Sequence, residues 1–152
     1  MTRIITIFTL LLLSTTCFAQ QVYLPSANSQ ERKEHLVIMH KLYDTMYYDQ
    51  TIVFIISKEY SKSNGTWAFI EFKTQLANGK APNFKKSAFR EEFEEGIMDD
   101  YSYVLLKKIK TKWKLIERVD FPTDVSFGCW WKKYKAPKEI FLYAEDSCNE
   151  DY

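Results

Sequence analysis

Two histidines, three cysteines and several acids are the groups in this chain whose chemistry and spacing have to be weighed first. His35 and His40 lie five residues apart on one helical stretch. That spacing turns them to different faces, and no cysteine or carboxylate completes a ligand set, so they read as ordinary helix residues and not as a zinc site. Glu91, Glu92, Glu94 and Glu95 form an acidic cluster. Consecutive glutamates on a helix point in different directions, whereas calcium takes spaced oxygens from a loop, so the cluster reads as a solvated face. The isolated acids in strand-like stretches are Glu71, Glu117 and Asp120. Counted by strict alternation, Glu117 shares a face with Trp113 and Leu115 and is the first candidate for a buried acid, although an edge carboxylate explains it more simply than a catalytic base. Asp124 sits in Pro122-Thr123-Asp124-Val125, where Thr123 or Asp124 is suited to cap a helix opened by Pro122. The chain holds no G-x-S-x-G, no H-E-x-x-H and no phosphate loop. No catalytic residue, metal or cofactor follows, and the balance leans against an enzyme.

The elements that would position these groups begin after a leader. Residues 1–19 combine basic Arg3, an apolar run over 4–13 and a Cys-Phe-Ala end before Gln20, the three parts of a secretory signal. The run is far shorter than the roughly 20 residues a spanning helix needs, and no second one follows, so no transmembrane anchor is expected. A lipid anchor on Cys17 is the competing reading, but residues 14–16 lack the Gly or Ala usual before a lipidated cysteine. Removing 19 of the 152 residues leaves 133, enough for one α+β domain over 20–152 with a real core. The 21 basic residues fall to 20, which balances the 20 acidic ones and leaves no electrostatic footprint for nucleic acid or anionic lipid. An oxidising destination makes a Cys129–Cys148 disulfide the default, tying the C-terminal tail down; closing a loop of about 20 residues is worth roughly 3 kcal/mol.

Along the remaining chain, residues 20–29 read as a loose leader. Asn28 or Ser29 then caps an amphipathic helix over 31–48, with Leu36, Met39, Leu42, Tyr43, Met46 and Tyr47 on its buried face. Strands over 51–57 and 66–74 flank Asn64-Gly65, the preferred pair for a type I′ hairpin turn, which explains these residues better than the glycosylation pattern Asn64-Gly65-Thr66. In the second strand Ala68, Ile70 and Phe72 make the better core face, and Trp67, Phe69, Glu71 and Lys73 the other. A loop and a short helix carrying Phe89, Phe93 and Ile97 lead to a second hairpin, 101–109 and 113–121, turning through residues 110–112. Lys107, Lys108, Lys110, Lys112 and Lys114 crowd its tip, either as a solvated, edge-protecting run or as an anion-binding patch. The expected architecture is an N-terminal helix packed on a four-stranded antiparallel meander, with a short C-terminal helix held by the disulfide.

Trp67-Ala68-Phe69, residues 103–108, Trp113, residues 122–125, Trp131, Tyr134 and residues 136–141 resemble, in order and spacing, a group of small exported bacterial proteins of unknown function. The chain departs from their pattern at Phe121, where the group has glycine, and in the loop over 76–100. The resemblance implies an envelope protein with a fold similar to cystatin-like or NTF2-like domains, and no reaction. Together these readings predict an exported binding module, periplasmic or extracellular, that engages a protein partner of the envelope. Asp124, Trp130, Trp131, Tyr134 and Glu117 are its candidate binding residues, since aromatic anchors suit interfaces. The alternative is an NTF2-like cone that binds or turns over a small molecule, with Glu117, Asp120 or Asp124 beside the pocket.

Overall fold

Ser29 starts the first helix. Its hydroxyl accepts the Arg32 amide at 3.1 Å, and α1 runs Gln30–Tyr43. In the computed structural model the described residues are 21–145 and 148; the leader over 1–19 and Cys17 lie outside them. The helix ends before Tyr48, because the chain turns through residues 44–49 with Tyr48 at a left-handed φ of 52°. Met46 and Tyr47 still reach the core, now from the turn rather than from the helix. Residues 21–28 are also not loose. Tyr23 exchanges two backbone hydrogen bonds with Ser63, at 2.8 and 2.7 Å, and its hydroxyl donates to Glu31 at 2.6 Å.

The sheet consists of β1 (Ile52–Ile56), β2 (Lys62–Ser63), β3 (Trp67–Leu76), β4 (Ser102–Ile109) and β5 (Lys112–Val119). It is antiparallel throughout, in the order β1-β3-β4-β5, with β2 carrying the first strand on along β3 after an irregular stretch over 57–61. The turn at Asn64-Gly65 forms where expected but is not the I′ type. Gly65 alone of the pair is left-handed, at φ 80°, and the Asn64 side chain closes the turn by accepting the Thr66 and Trp67 amides at 3.0 and 2.8 Å. In the second hairpin Lys110 supplies the left-handed residue, at φ 58°.

Both faces of β3 are buried. Ala68, Ile70 and Phe72 pack with Val104, Leu106 and Trp113 under Met39, Tyr43 and Tyr47 of α1 and its turn. Trp67 and Phe69, expected on the lesser face, form a second core with Leu105, Phe127, Trp130, Ile140 and Phe141. The C-terminal segment supplies this second layer and is held by the Cys129–Cys148 disulfide, with Cα atoms 5.6 Å apart. The expected short C-terminal helix forms, but later than expected, and Pro122 does not open it. Residues 122–129 turn and bend until Phe127 enters the second core, and α3 is only Trp130–Lys133, with no side-chain cap. Thr123 and Asp124 are therefore exposed rather than capping. Phe121, the glycine position of the resemblance, has φ 50°; the strain of about 1 kcal/mol this sets on a side chain is offset by burying its ring edge-on to Phe84 and Phe89. Before β4, α2 (Arg90–Glu95) stops at left-handed Gly96 and leaves its glutamates exposed, as expected, and Phe93 and Ile97 as well. Among the described residues no helix is long and apolar enough to cross a membrane.

His35 is fully buried, edge-on to Trp113 with ring centroids 4.4 Å apart. Neither ring nitrogen has a hydrogen-bond partner, and Glu31 Oε1, at 3.7 Å from Nε2, is beyond bonding range. Burial, opposed by Glu31 and Glu34 and assisted by Arg32 and Lys108, pushes the imidazole down from 6.5 to about 4. The folded state therefore refuses a proton that the unfolded chain accepts. Stability is unaffected above about pH 6.5 and falls by up to about 3 kcal/mol as the pH drops toward 4. Urea unfolding across that window measures the slope; His35→Leu flattens it, and an unchanged slope in the variant would show that another group sets it.

Candidate functional site

A single extra residue decides which acids face which side of the sheet. Leu105 pairs with Glu117 while Leu106 pairs with Leu115, so Ile116 is inserted as a β-bulge. Strict alternation ends there. Glu117 turns away from Trp113 and Leu115 and joins the face of Ile116 and Val119, whereas Arg118 and Asp120 turn toward α1. The expectation for Glu117 is thereby corrected: it is not the buried acid of the helix side but a half-buried partner of the C-terminal segment. The Tyr134 hydroxyl donates to Glu117 Oε2, Lys133 Nζ lies 3.4 Å from the same oxygen, and the Arg118 amide donates to Oε1 at 3.1 Å. Desolvation raises this carboxyl, but the Tyr134, Arg118 and Lys133 contacts together outweigh it and hold the group below its ordinary range.

Asp120 takes the place assigned to Glu117. Its Oδ1 accepts from the Tyr43 hydroxyl, its Oδ2 lies 3.3 Å from Arg118 Nη1, and its side chain is 16% exposed. Desolvation is the largest influence and raises it above the ordinary carboxyl range; the Tyr43 bond and Arg118 oppose this, and Glu92 adds to it. Tyr43, fully buried, is pushed well above the usual phenol value by burial and then by Asp120. The Arg118 guanidinium contacts Met46 Sδ at 2.9 Å and sits 5.8 Å from the Tyr43 ring centre. Asp120 and Arg118, with Tyr43 behind them in the core, line an open cleft of about 830 Å³ together with Met46, Phe89, Met98, Phe121, Glu92 and Asp124.

The space between α1 and the middle of the sheet is filled by Met39, Tyr43, Phe54 and Phe72, so the cleft lies at the rim of that core, where β5 ends. Asp124 lines this cleft and also a neighbouring one of about 470 Å³, where it meets Trp130, Lys133 and Glu145. Trp130 is 6% exposed. Half-buried Trp131 donates its Nε1–H to the Glu145 carbonyl at 3.0 Å, and Tyr134 is engaged by Glu117. The candidate residues thus divide into Asp124 and Trp130, which line this neighbouring cleft, and Glu117 and Tyr134, which do not, with Lys133 between the two groups. Cys129 and Cys148 are joined to each other. With Glu145 they lie within 4.8 Å, but both sulfurs are in the disulfide and offer no thiolate to a metal.

Among the described residues the most buried acid is Glu71, 3% exposed, which desolvation raises while hydrogen bonds with Ser57 and Tyr103 pull it down. It lines none of these clefts and serves the join between the 57–61 stretch and β3, where the Ser61 hydroxyl accepts the Glu71 amide at 3.0 Å. Spacing and motif do not mark Tyr43 and Arg118 as site residues. A phenol in the apolar stripe of α1 and an arginine two residues before Asp120 were the available signals. Compared with protein families, with curated proteins and with solved structures, the chain matches none, so the site itself carries the functional argument.

Tyr43→Phe leaves Asp120 desolvated without its phenol donor and is expected to cost about 1–3 kcal/mol in urea unfolding. Glu117→Gln, at a half-exposed pair, is expected to cost less than about 1 kcal/mol. The reverse order would mean that Glu117, not Asp120, is the structurally committed acid.

Proposed function

We propose that the chain is an exported binding module that takes a small ligand in the cleft over Asp120. The carrying observation is a desolvated carboxylate, held by Tyr43 and Arg118, on the floor of a cleft with methionine and aromatic walls. Glu92, Asp120 and Asp124 outnumber Arg118 around it, which favours a ligand with a cationic group on an apolar body. Methionine walls adapt to irregular apolar shapes. The acid already has two partners and no nucleophile–base pair stands with it, so binding is favoured over turnover. Export is supported by the basic-then-apolar leader and by a disulfide that needs an oxidising compartment. A helix on an antiparallel sheet also agrees with the NTF2-like or cystatin-like shape implied by the resemblance.

An envelope protein as partner stands second. The aromatic C-terminal helix supports it less, since Trp130 is buried and Trp131 and Tyr134 are tied down. The specific observation in its favour is β1, at one end of the strand order with Val53 37% and Ile55 45% exposed.

The test is an amide-resolved NMR screen of small amines, neutral molecules and carboxylates. Amines are expected to shift Met46, Glu92, Arg118, Asp120, Phe121, Thr123 and Asp124, and Asp120→Asn is expected to weaken them by about tenfold or more, the loss of one charged hydrogen bond. Binding that ignores Asp120, or shifts confined to residues 52–56, would overturn the assignment.

A further inference from the structure

The charge of this chain sums to nearly zero, yet it is sorted along β4. Glu91, Glu92, Glu94 and Glu95 of α2, with Asp99 and Asp100, lie exposed before the strand begins. Eight residues later, about 25 Å on at the usual strand rise, the hairpin tip presents Lys107, Lys108, Lys110, Lys112 and Lys114. Lys33 of α1 joins them across a groove. Among the described residues none of these lysines is ion-paired. Two are propped on aromatic rings: Lys107 Nζ is 4.4 Å from the Trp67 ring centre and Lys108 Nζ is 5.8 Å from that of Trp113, one on each face of the sheet. Glu31 and Glu34 are the acids of α1 on this side, and Glu34 lines the groove with Lys33 and Lys112, so the six lysines outnumber them. Glu31 accepts from Tyr23 and Ser63, and Glu34 accepts from Gln30 at 2.9 Å.

The same end exposes aliphatic surface. Ile109 is 41% and Val37 68% exposed, and the groove between α1 and the tip, about 390 Å³, is walled by Val37, Ile38 and Trp113 between Lys33 and Lys112. Cations on both faces of a protruding turn, with aliphatic side chains among them, match a surface that is anionic outside and apolar just beneath. We propose that the β4–β5 tip docks on an anionic lipid bilayer, its lysines at the phosphates and Ile109 and Val37 at the acyl boundary. This surface is separate from the Asp120 cleft, which lies at the other end of the sheet and stays open to solvent. An acidic protein offers the same charge without the apolar layer, and so fits the exposed Ile109 and Val37 less well.

The experiment is co-sedimentation of the exported chain, its N-terminus checked by mass spectrometry, with phosphatidylcholine vesicles with and without roughly one third phosphatidylglycerol. Binding is expected only with the anionic lipid, and is lost at about 0.5 M salt, where screening is within a few ångströms. Lys110→Gln with Lys112→Gln is expected to weaken it about 25-fold, at about fivefold per lysine. Ile109→Ser with Val37→Ser weakens it several-fold, whereas Lys85→Gln with Lys86→Gln, at the far end, leaves it unchanged. All substitutions are at the surface, and circular dichroism confirms the fold of each. No sedimentation with anionic vesicles, equal sedimentation without phosphatidylglycerol, or indifference to the tip variants overturns the proposal. Capture by polyglutamate but not by vesicles overturns it in favour of an acidic protein.

Discussion

Burial of β3 on both faces is the constraint on which the rest of the structure depends. From Trp67 to Phe72 every residue of this strand is withdrawn from water, so each face needs its own cover. One comes from α1 and the turn after it, the other from the C-terminal segment. Each large side chain sealed in this way contributes on the order of 1.5–3 kcal/mol, more than a short helix of four or six residues gains from its own hydrogen bonds. This explains why the C-terminal cover needs no long helix. Phe127, Trp130, Ile140 and Phe141 reach Phe69 and its neighbours through turns, and the disulfide holds the crossing in place.

The bulge at Ile116 sets where the chemistry falls. Without it, Glu117 would project under α1 and Asp120 would turn toward the C-terminal cover. With it, the acid beside Tyr43 is the one at the strand's end, where the covering layers part and a cleft opens. Position on the strand governs the two outcomes. Glu117 lies within reach of α3 and is satisfied by Tyr134, Lys133 and the Arg118 amide, whereas Asp120 is desolvated at the edge of the aromatic core. The sorting of charge along β4 has a similar origin, since the strand joins an acidic loop at one end of the sheet to a basic turn at the other.

Much of this was legible in the sequence. The helix start at Ser29, the two hairpins, the turn at Asn64-Gly65, the meander and the disulfide all follow from local chemistry: a capping hydroxyl, β-branched runs, a glycine tolerant of positive φ, and two cysteines within tethering distance. What was not legible depended on contacts distant in sequence. Nothing local marks Ile116 as an inserted residue, so alternation placed Glu117 on the wrong face. The second core was hidden because Trp67 and Phe69 share their face with Glu71 and Lys73, a mixed pattern that normally meets water. The tail past Pro122 looked helical, but it follows Phe127 into that core. Tyr23 looked like part of a loose leader until Ser63, forty residues on, supplied its pairing partner. For the candidate site, Asp120 and Asp124 stand out in the sequence while their neighbours Tyr43 and Arg118 do not, because partnership across the sheet has no signature in spacing.

The measurement that bears most directly on this account is a carbon-13 NMR titration of the side-chain carboxylates. The bulge assigns opposite environments to two acids three residues apart. Asp120 should titrate above the ordinary aspartate value of about 3.9, and Glu117 below the ordinary glutamate value of about 4.3. If Glu117 is the raised one, or if both titrate at their ordinary values, the bulge does not direct Asp120 into the cleft and the site proposed there is wrong.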